Sequence, residues 1–207
     1  LQFIIVGAYL LSVALAGGTT ETVIPFVGSV DLGFFYYILA AVFIVGMVNA
    51  VNFTDGIDGL NTSVTLVVAL VFSVIAMLLN RVGLSLYAAA IVGAMIGFLF
   101  WNANPAKVFM GDTGSLFLGG AVCALAFGVD MPILLILIGI IYIVEILSVV
   151  LQVTYFKISH GKRIFKMAPI HHHFEMCGWN ENKICFVFSG VTLFAGIIGV
   201  LLAVFGC

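Results

Sequence analysis

The sequence predicts an all-α fold, a polytopic membrane helix bundle of about seven transmembrane helices. The residues AVILMFWYC make up 64% of the 207 positions and DEKR only 8%, about a third of the charged fraction usual in a soluble domain. Apolar runs of about 20 residues, the length of a helix that crosses a bilayer, recur along the chain. Since these runs do not alternate over about 10 residues as barrel strands do, helices are the expected spanning element.

Seven apolar runs follow one another, separated by more polar connections. They cover residues 1–16, 34–51, 60–79, 84–101, 115–129, 132–156 and 184–206. The first run opens at Leu1 without a starting Met, so we expect the chain to continue something longer and to lack N-terminal helices. No repeat, linker or low-complexity tract is visible, and residues 1–207 are therefore expected to form a single transmembrane domain.

Charge and cysteine content argue against several classes of function. The formal net charge of −2 is too small to indicate nucleic-acid binding, and no P-loop or dinucleotide-binding glycine pattern occurs. The cysteines show no CxxC spacing, and two of them fall inside apolar runs; they are Cys123, Cys177, Cys185 and Cys207. They indicate neither a disulfide framework nor a zinc site.

Basic residues assign the connections to the two sides of a membrane. Six of the seven Lys and Arg residues fall on the side that holds the segments 52–59, 102–114 and 157–183, and Arg81 falls on the other. Because basic residues accumulate on the cytoplasmic side, these three segments are predicted to be cytoplasmic. They also hold most of the unusual polar residues, as expected of functional loops on a fixed scaffold.

The first of these segments carries two carboxylates, each followed by a glycine. It reads Asn52-Phe53-Thr54-Asp55-Gly56-Ile57-Asp58-Gly59-Leu60-Asn61. If the turn is helical, Asp55 and Asp58 share a face, and the glycines allow a sharp turn or a close approach to a ligand. A solvated turn with Asp and Asn as caps explains the spacing equally well.

The second segment places a carboxylate before an apolar run. It reads Asn102-Ala103-Asn104-Pro105-Ala106-Lys107-Val108-Phe109-Met110-Gly111-Asp112-Thr113-Gly114-Ser115. Asp112 can serve as the N-terminal cap of that run, or it can hold a hard cation. Magnesium takes one or two carboxylates and completes its shell with water and substrate phosphates.

The third segment combines basic residues with three adjacent histidines. It includes Gly161-Lys162-Arg163-Ile164-Phe165-Lys166-Met167-Ala168-Pro169-Ile170-His171-His172-His173-Phe174-Glu175. A basic cluster beside a membrane is usually a lipid head-group anchor or an orientation signal. The histidines admit zinc, although adjacent side chains diverge and no cysteine lies at ligand spacing. Proton handling or phosphate contact suits imidazole near neutral pH better.

Glu145 lies in the middle of the sixth apolar run. A carboxylate is costly there unless it faces a cavity or a partner, so Glu145 either lines a polar groove or makes a structural hydrogen bond. It is the best sequence evidence for a transporter or channel. A transporter, however, should place paired broken helices and ionisable residues near the midplane, whereas the polar groups here collect at one surface.

Taken together, the motifs NxxDGxDGLN, NxxPAxVFMGDxGS and MAPIHHHFE resemble those of the phospho-N-acetylmuramoyl-pentapeptide transferase family (MraY, translocase I). The resemblance runs from Leu1 to Cys207 and matches the last seven of the family's ten membrane helices. It implies a catalytic domain that transfers phospho-MurNAc-pentapeptide from UDP to undecaprenyl phosphate. The implied products are lipid I and UMP, formed at the cytoplasmic face of the bacterial inner membrane.

The resemblance also implies roles for single residues. The implied catalytic residues are Asp112, Asp55, His171, His172 and His173, with Asp112 as the Mg²⁺ ligand. The implied substrate-binding residues are Asn52, Asp55, Asp58, Asn102 and Phe109, of which Asn102 and Phe109 match positions that hold and stack the uracil. The family's aspartate pair with a following lysine precedes the first run, so the chain alone is expected to be inactive. Neither the base nor the choice between direct attack and a covalent intermediate follows from this chain.

Several partners follow from the resemblance. They are UDP-MurNAc-pentapeptide, undecaprenyl phosphate, membrane lipids and nucleoside inhibitors, and the family is compatible with a homodimer. The nearest alternative is a related transferase that moves an N-acetylhexosamine phosphate from UDP to the same kind of lipid. Those relatives carry a histidine pattern that differs from the run Pro169-Ile170-His171-His172-His173-Phe174-Glu175.

Overall fold

The computed structural model describes residues 1–206, and Cys207 lies outside the described residues. In chain order the elements are α1 (Gln2–Leu15), β1 (Glu21–Ile24), β2 (Gly28–Asp31), α2 (Phe34–Phe53), α3 (Leu60–Leu78), α4 (Val82–Asn102), α5 (Gly111–Gly128), α6 (Leu134–Ile138), α7 (Ile140–Ile158), α8 (Ile170–Glu175) and α9 (Glu181–Phe205). Among residues 1–206, six helices are long and apolar enough to cross a membrane: α2, α3, α4, α5, α7 and α9. The prediction of a polytopic helix bundle is confirmed, and the chain is a multi-pass membrane protein.

The connection between the first two helices contains a short hairpin that the apolar runs did not predict. Strands β1 and β2 pair antiparallel, with Glu21 opposite Asp31. The backbone N–H of Val23 donates to the carbonyl of Asp130 at 2.8 Å, which ties the hairpin to the end of α5. The preceding helix α1 is 14 residues long, shorter than the predicted run 1–16.

Two helix boundaries differ from the apolar runs. The run 132–156 contains two helices, because the chain breaks at Gly139 between α6 and α7. A methyl group added at Gly139 would lie 2.7 Å from the carbonyl oxygen of Leu135, so there is little room for a side chain at this position. Helix α5 begins at Gly111, four residues before the predicted start, and Asp112 therefore lies in its first turn and makes no side-chain cap.

Helix α3 forms the centre of the bundle and packs against α4 and α9. Its fully buried side chains include Leu60, Val64, Val68 and Phe72. The outer helices instead expose many apolar side chains, among them Phe100 and Phe186. This distribution is expected when the surrounding solvent is hydrocarbon, since every backbone polar group is satisfied inside a helix and the outer face stays apolar.

The polar connections separate to the two ends of the bundle. One end holds the hairpin and the exposed ion pair between Arg81 and Asp130, at 2.7 Å. At the other end the segments 52–59, 102–114 and 157–183 lie together, joined by the side-chain contacts described below. The three segments therefore lie on the same side of the bundle, as the alternating membrane crossings predict.

Candidate active site

A polar cavity of about 260 Å³ lies where the first two of these segments meet. Its lining residues are Asn52, Asp55, Gly56, Ile57, Asp58, Asn102, Phe109, Met110, Gly111 and Asp112. Every predicted site residue outside the histidine run is among them. The lining that residues 1–206 supply contains three carboxylates and no Lys, Arg or His.

Asp112 is held in place by the end of α2. The side-chain amide of Asn52 donates to Asp112 Oδ1 at 3.0 Å and to Ser115 Oγ at 2.8 Å. Ser115 is one turn further along α5 and donates to the carbonyl of Gly111 at 3.0 Å. These bonds fix an exposed carboxylate at the start of a helix, where a negative charge also interacts favourably with the helix dipole.

A close contact between α2 and α5 sets this geometry. A methyl group added at Gly119 would lie 2.6 Å from the Cα atom of Val48, so the two backbones approach more closely than a side chain would permit. Val48 is four residues, about one turn, before Asn52, and Gly119 lies seven residues after Asp112. The glycine thereby places the amide of Asn52 within hydrogen-bond distance of Asp112.

Asp55 lies beside Asp112 in a partly desolvated position. The pKa of the Asp55 carboxyl is raised to about 6, chiefly by burial and also by the nearby negative charge of Asp112. Hydrogen bonds from the Asn61 side chain and the Gly111 backbone N–H act in the opposite direction. Two neighbouring carboxylates that repel each other are a common feature of sites that bind a cation.

Replacing Asp55 with Asn is expected to stabilise the fold while impairing function. The pKa of Asp55 in the folded protein lies above the ordinary value of 3.8. The free energy of unfolding therefore decreases as pH rises from about 4 to about 6, where the carboxyl loses its proton. Asn avoids this decrease, which is about 1 kcal/mol after allowing for solvent screening of a partly exposed group. Thermal unfolding in detergent should show a higher Tm for Asp55→Asn at pH 7.5. At pH 3.5 Asp55 is mostly protonated in both the folded and the unfolded state. An equal gain in Tm at that pH would show that the gain does not come from the charge of the buried carboxylate.

Asp58 points to the other side of the turn. Residues 54–59 form turns, so the condition for a shared helical face with Asp55 is not met. Asp58 Oδ2 accepts from the backbone N–H of Ala106 at 2.8 Å, and the backbone N–H of Asp58 donates to Glu181 Oε2 at 2.9 Å. Asp58 therefore joins the first segment to the second and to the start of α9, besides lining the cavity.

Asn102 and Phe109 occupy contrasting environments. Asn102 is buried at the end of α4, where its Oδ1 accepts from the Thr62 hydroxyl at 2.6 Å and its amide donates to the carbonyl of Val108 at 3.0 Å. These bonds shape the loop that carries Phe109. The Phe109 ring is 75% exposed at the cavity, so one aromatic face is available to a flat ligand.

The three histidines lie on a short helix, α8, and each has a different partner. His171 is fully buried and bonds Glu145 through its Nδ1 at 2.9 Å. His172 Nδ1 contacts Glu175, and His173 Nδ1 accepts from the backbone N–H of Lys166 at 3.1 Å. The prediction that adjacent histidines diverge agrees with this arrangement, and of the three only His171 reaches the cavity wall, from behind Gly56.

Glu145 makes the hydrogen bond that was one of its two sequence interpretations. It is fully buried against His171 and does not line the polar cavity described above. This contact removes the best sequence evidence for a transporter. Ser115 and Glu181 hold predicted site residues in place, but the sequence did not predict a role for either. Only their positions within or beside the polar segments could have indicated one.

The donor set at the cavity fits a hard cation such as Mg²⁺. Within the described residues, no group of three or more His, Cys, Asp or Glu side chains lies close enough together to hold a metal ion by itself. Asp112 and Asp55 supply the one or two carboxylates that Mg²⁺ takes when water and phosphate complete its shell. The carboxylate-rich lining would also repel a diphosphate that arrived without a cation.

A comparison with known proteins identifies the family of the chain. Residues 1–130 match the family model of glycosyl transferase family 4. The chain belongs to this family, which is represented here by a multi-pass membrane helix bundle with a polar cavity at one end.

The relatives are more specific than the family model. The chain is 52% identical over 196 residues to the phospho-N-acetylmuramoyl-pentapeptide-transferase of Clostridium botulinum (strain Eklund 17B / Type B), covering 92% of this chain and 60% of the relative. It is 54% identical over 175 residues to the protein of the same name from Clostridium perfringens (strain SM101 / Type A), covering 84% and 54%. For Listeria monocytogenes serotype 4b (strain CLIP80459) the identity is 49% over 190 residues, covering 91% and 59%. The resemblance inferred from the three motifs is thus confirmed, and the chain spans 60% or less of the length of these relatives.

Proposed function

We propose that the chain carries the site for transfer of phospho-MurNAc-pentapeptide from UDP to undecaprenyl phosphate, with lipid I and UMP as products. One observation carries the proposal: Asp112 and Asp55 lie in one polar cavity beside the exposed ring of Phe109, at the end of an apolar helix bundle. Such a cavity suits a reaction between a nucleotide donor and a lipid phosphate. The names of relatives at 49–54% identity support the same donor.

Mg²⁺ is the proposed cofactor, and Asp112 is the residue that would hold it. When bound, the ion would neutralise the charge that gathers on the diphosphate and on the departing UMP. Asn52 keeps the Asp112 carboxylate aimed at the cavity. Asp55, beside it, adds a second negative charge that favours cation binding, and its pKa of about 6 permits proton exchange near neutral pH.

The remaining lining residues would position the donor. Phe109 offers an aromatic face for the uracil, and Asn102 supports the loop that presents this ring. Asp58 fixes the turn that carries Asp55 to that same loop. Positioning and charge neutralisation supply most of the catalysis in phosphoryl transfer, and these residues can do both.

The proposed orientation places the site at the cytoplasmic face of a bacterial inner membrane. Its support is the excess of basic residues at this end of the bundle, where six of the seven Lys and Arg residues lie. A nucleotide donor is made in the cytoplasm, which agrees with that orientation. The proposed partners include bilayer lipids, nucleoside inhibitors and a second copy of the chain in a homodimer.

Donor discrimination tests the proposal against the related hexosamine-phosphate transferases. Because the chain spans 60% of the Clostridium botulinum relative, turnover is measured on the chain alone and on the chain joined to the part of that relative that it does not match. With polyprenyl phosphate as acceptor, UDP-MurNAc-pentapeptide should yield a lipid-linked product and UDP-N-acetylglucosamine should yield none. Product from the second donor alone would overturn the assignment.

Phe109→Ala is expected to weaken binding of uridine nucleotides. Stacking contributes about 1–3 kcal/mol per base, so the Kd for UMP should rise about 5- to 150-fold. Binding is measured by calorimetry in detergent with saturating Mg²⁺. Phe100→Ala is the matched control, because Phe100 is equally exposed yet lies on α4 outside the cavity lining. An unchanged Kd in Phe109→Ala, or an equal loss in the control, would count against stacking.

A further inference from the structure

One face of α7 supports the cavity from behind. Tyr142 and Glu145 are three residues apart on this helix, so they project from the same face. Both side chains are fully buried, and neither lines the cavity. Each nevertheless begins a chain of contacts that ends at the turn carrying Asp55.

The first chain of contacts runs from Glu145 through His171. Glu145 Oε2 and His171 Nδ1 lie 2.9 Å apart, and both side chains have 0% exposure. This hydrogen bond between the Glu145 carboxyl and Nδ1 fixes the orientation of the imidazole ring. The pair also fastens the short helix α8 to α7 across 26 residues of sequence.

The ring of His171 then lies directly against Gly56. A methyl group added at Gly56 would lie 2.3 Å from His171 Nε2 and 2.6 Å from Cε1. The other side of Gly56 faces the cavity, next to Asp55. Any rotation or withdrawal of the imidazole ring therefore removes the contact that supports Gly56 in the cavity wall.

The second chain of contacts runs from Tyr142 to Asp55 itself. The Tyr142 hydroxyl lies 2.8 Å from Thr65 Oγ1, which donates to Asn61 Oδ1 at 3.2 Å. The Asn61 amide donates to Met110 Sδ at 3.5 Å, and it lies close enough to Asp55 to lower the pKa of that carboxyl. Thr65 and Asn61 are fully buried, so this path runs through the interior of the bundle.

We propose that Glu145 is a positioning residue for the wall formed by Asp55 and Gly56, acting through His171, with Tyr142 as a second support. The inference rests on the proposed function, because it assigns the positioned carboxylate to that reaction. Stability alone does not account for the pair. Within residues 1–206, Glu145 Oε1 and His171 Nε2 are buried without a hydrogen-bond partner, and such atoms cost free energy compared with apolar packing.

Three substitutions separate positioning from a general structural role. Glu145→Gln keeps an oxygen that can accept from His171, whereas Glu145→Leu removes it. Tyr142→Phe removes only the hydroxyl that bonds Thr65. Ser148→Ala is the matched control, since Ser148 is buried one turn along the same helix and its hydroxyl bonds only the α7 backbone, at the carbonyl of Glu145.

Turnover and hydrogen exchange are measured on the same samples in detergent. Glu145→Leu should lower kcat by up to about 100-fold, the scale on which misplacement of a reacting group by about 1 Å acts, with little change in the KM for the donor. Glu145→Gln should retain most of the turnover. Amide exchange in residues 54–59 should accelerate in Glu145→Leu and Tyr142→Phe but not in Ser148→Ala.

The exchange data keep the inference separate from the proposed reaction. Turnover is measured on the chain joined to the unmatched part of the Clostridium botulinum relative. If this joined protein released no UMP without any substitution, the proposed function would fail, while faster exchange confined to residues 54–59 would still support positioning. If Glu145→Leu does not fold, Tyr142→Phe decides the question by the same readout. Exchange in residues 54–59 that matches the unsubstituted protein in every folded variant at position 142 or 145 would overturn the inference, as would uniform acceleration across the bundle.

Discussion

Asp112→Asn is expected to lower turnover about 100-fold or more, the scale seen when one electrostatic contact to a transition state is removed. The substitution keeps the size of the side chain and an oxygen that can accept from the Asn52 amide, now 3.0 Å from Oδ1. The fold should therefore survive. Removal of the charge takes away the ligand proposed for Mg²⁺, so the Mg²⁺ concentration that gives half-maximal UMP release should rise as well.

Asp130→Asn is the matched control for this experiment. Asp130 is an exposed carboxylate at the opposite end of the bundle, where it pairs with Arg81. An exposed ion pair contributes about 1 kcal/mol at most, so turnover and the Mg²⁺ requirement should not change. Near-normal turnover with an unchanged Mg²⁺ requirement in folded Asp112→Asn would contradict the assignment of Asp112.

Gly119→Ala is expected to separate α2 from α5 and thereby to disturb the site from a distance. The added methyl group would lie 2.6 Å from the Cα atom and 3.1 Å from the carbonyl oxygen of Val48. Backbone atoms in a packed helix cannot move aside cheaply, so we expect a loss of about 1–3 kcal/mol in stability. The shift also draws Asn52 away from Asp112, and turnover should fall more than the loss of folded protein explains.

The neighbouring Gly120→Ala provides a control in the same helix turn. A methyl group at Gly120 meets nothing within 4 Å, and alanine favours a helix by about 1 kcal/mol over glycine. Gly120→Ala should therefore match or exceed the unsubstituted protein in Tm, with unchanged UMP release. Equal effects of the two substitutions would show that helix propensity, and not the contact between α2 and α5, governs this position.

The helix bundle and the composition of the cavity were predictable because both depend on local sequence. Long apolar runs must become helices in a bilayer, and alternate crossings bring the segments that hold Asp55 and Asp112 to one end. Hydropathy could not predict the break at Gly139, because the residues of α6 and α7 on both sides of it are apolar. It also could not predict the β1–β2 hairpin, whose link to Asp130 spans 107 residues, from Val23 to Asp130.

The internal organisation of the site was less accessible from sequence. Asp55 and Asp58 have the same spacing to their glycines, yet one faces Asp112 and the other holds the loop before α5. His171, His172 and His173 have identical side chains but three different partners. The partner of Glu145 lies 26 residues away. These differences arise from tertiary packing, which a single sequence does not specify at the level of individual contacts.

The most direct measurement of the central claim is UMP release from UDP-MurNAc-pentapeptide, with polyprenyl phosphate and Mg²⁺ each added or withheld. The cavity formed around Asp112, Asp55 and Phe109 predicts that the chain joined to the unmatched part of its relative releases UMP only when donor, lipid phosphate and Mg²⁺ are all present. Release that continues at the same rate after chelation of Mg²⁺, or without the lipid acceptor, would contradict the account.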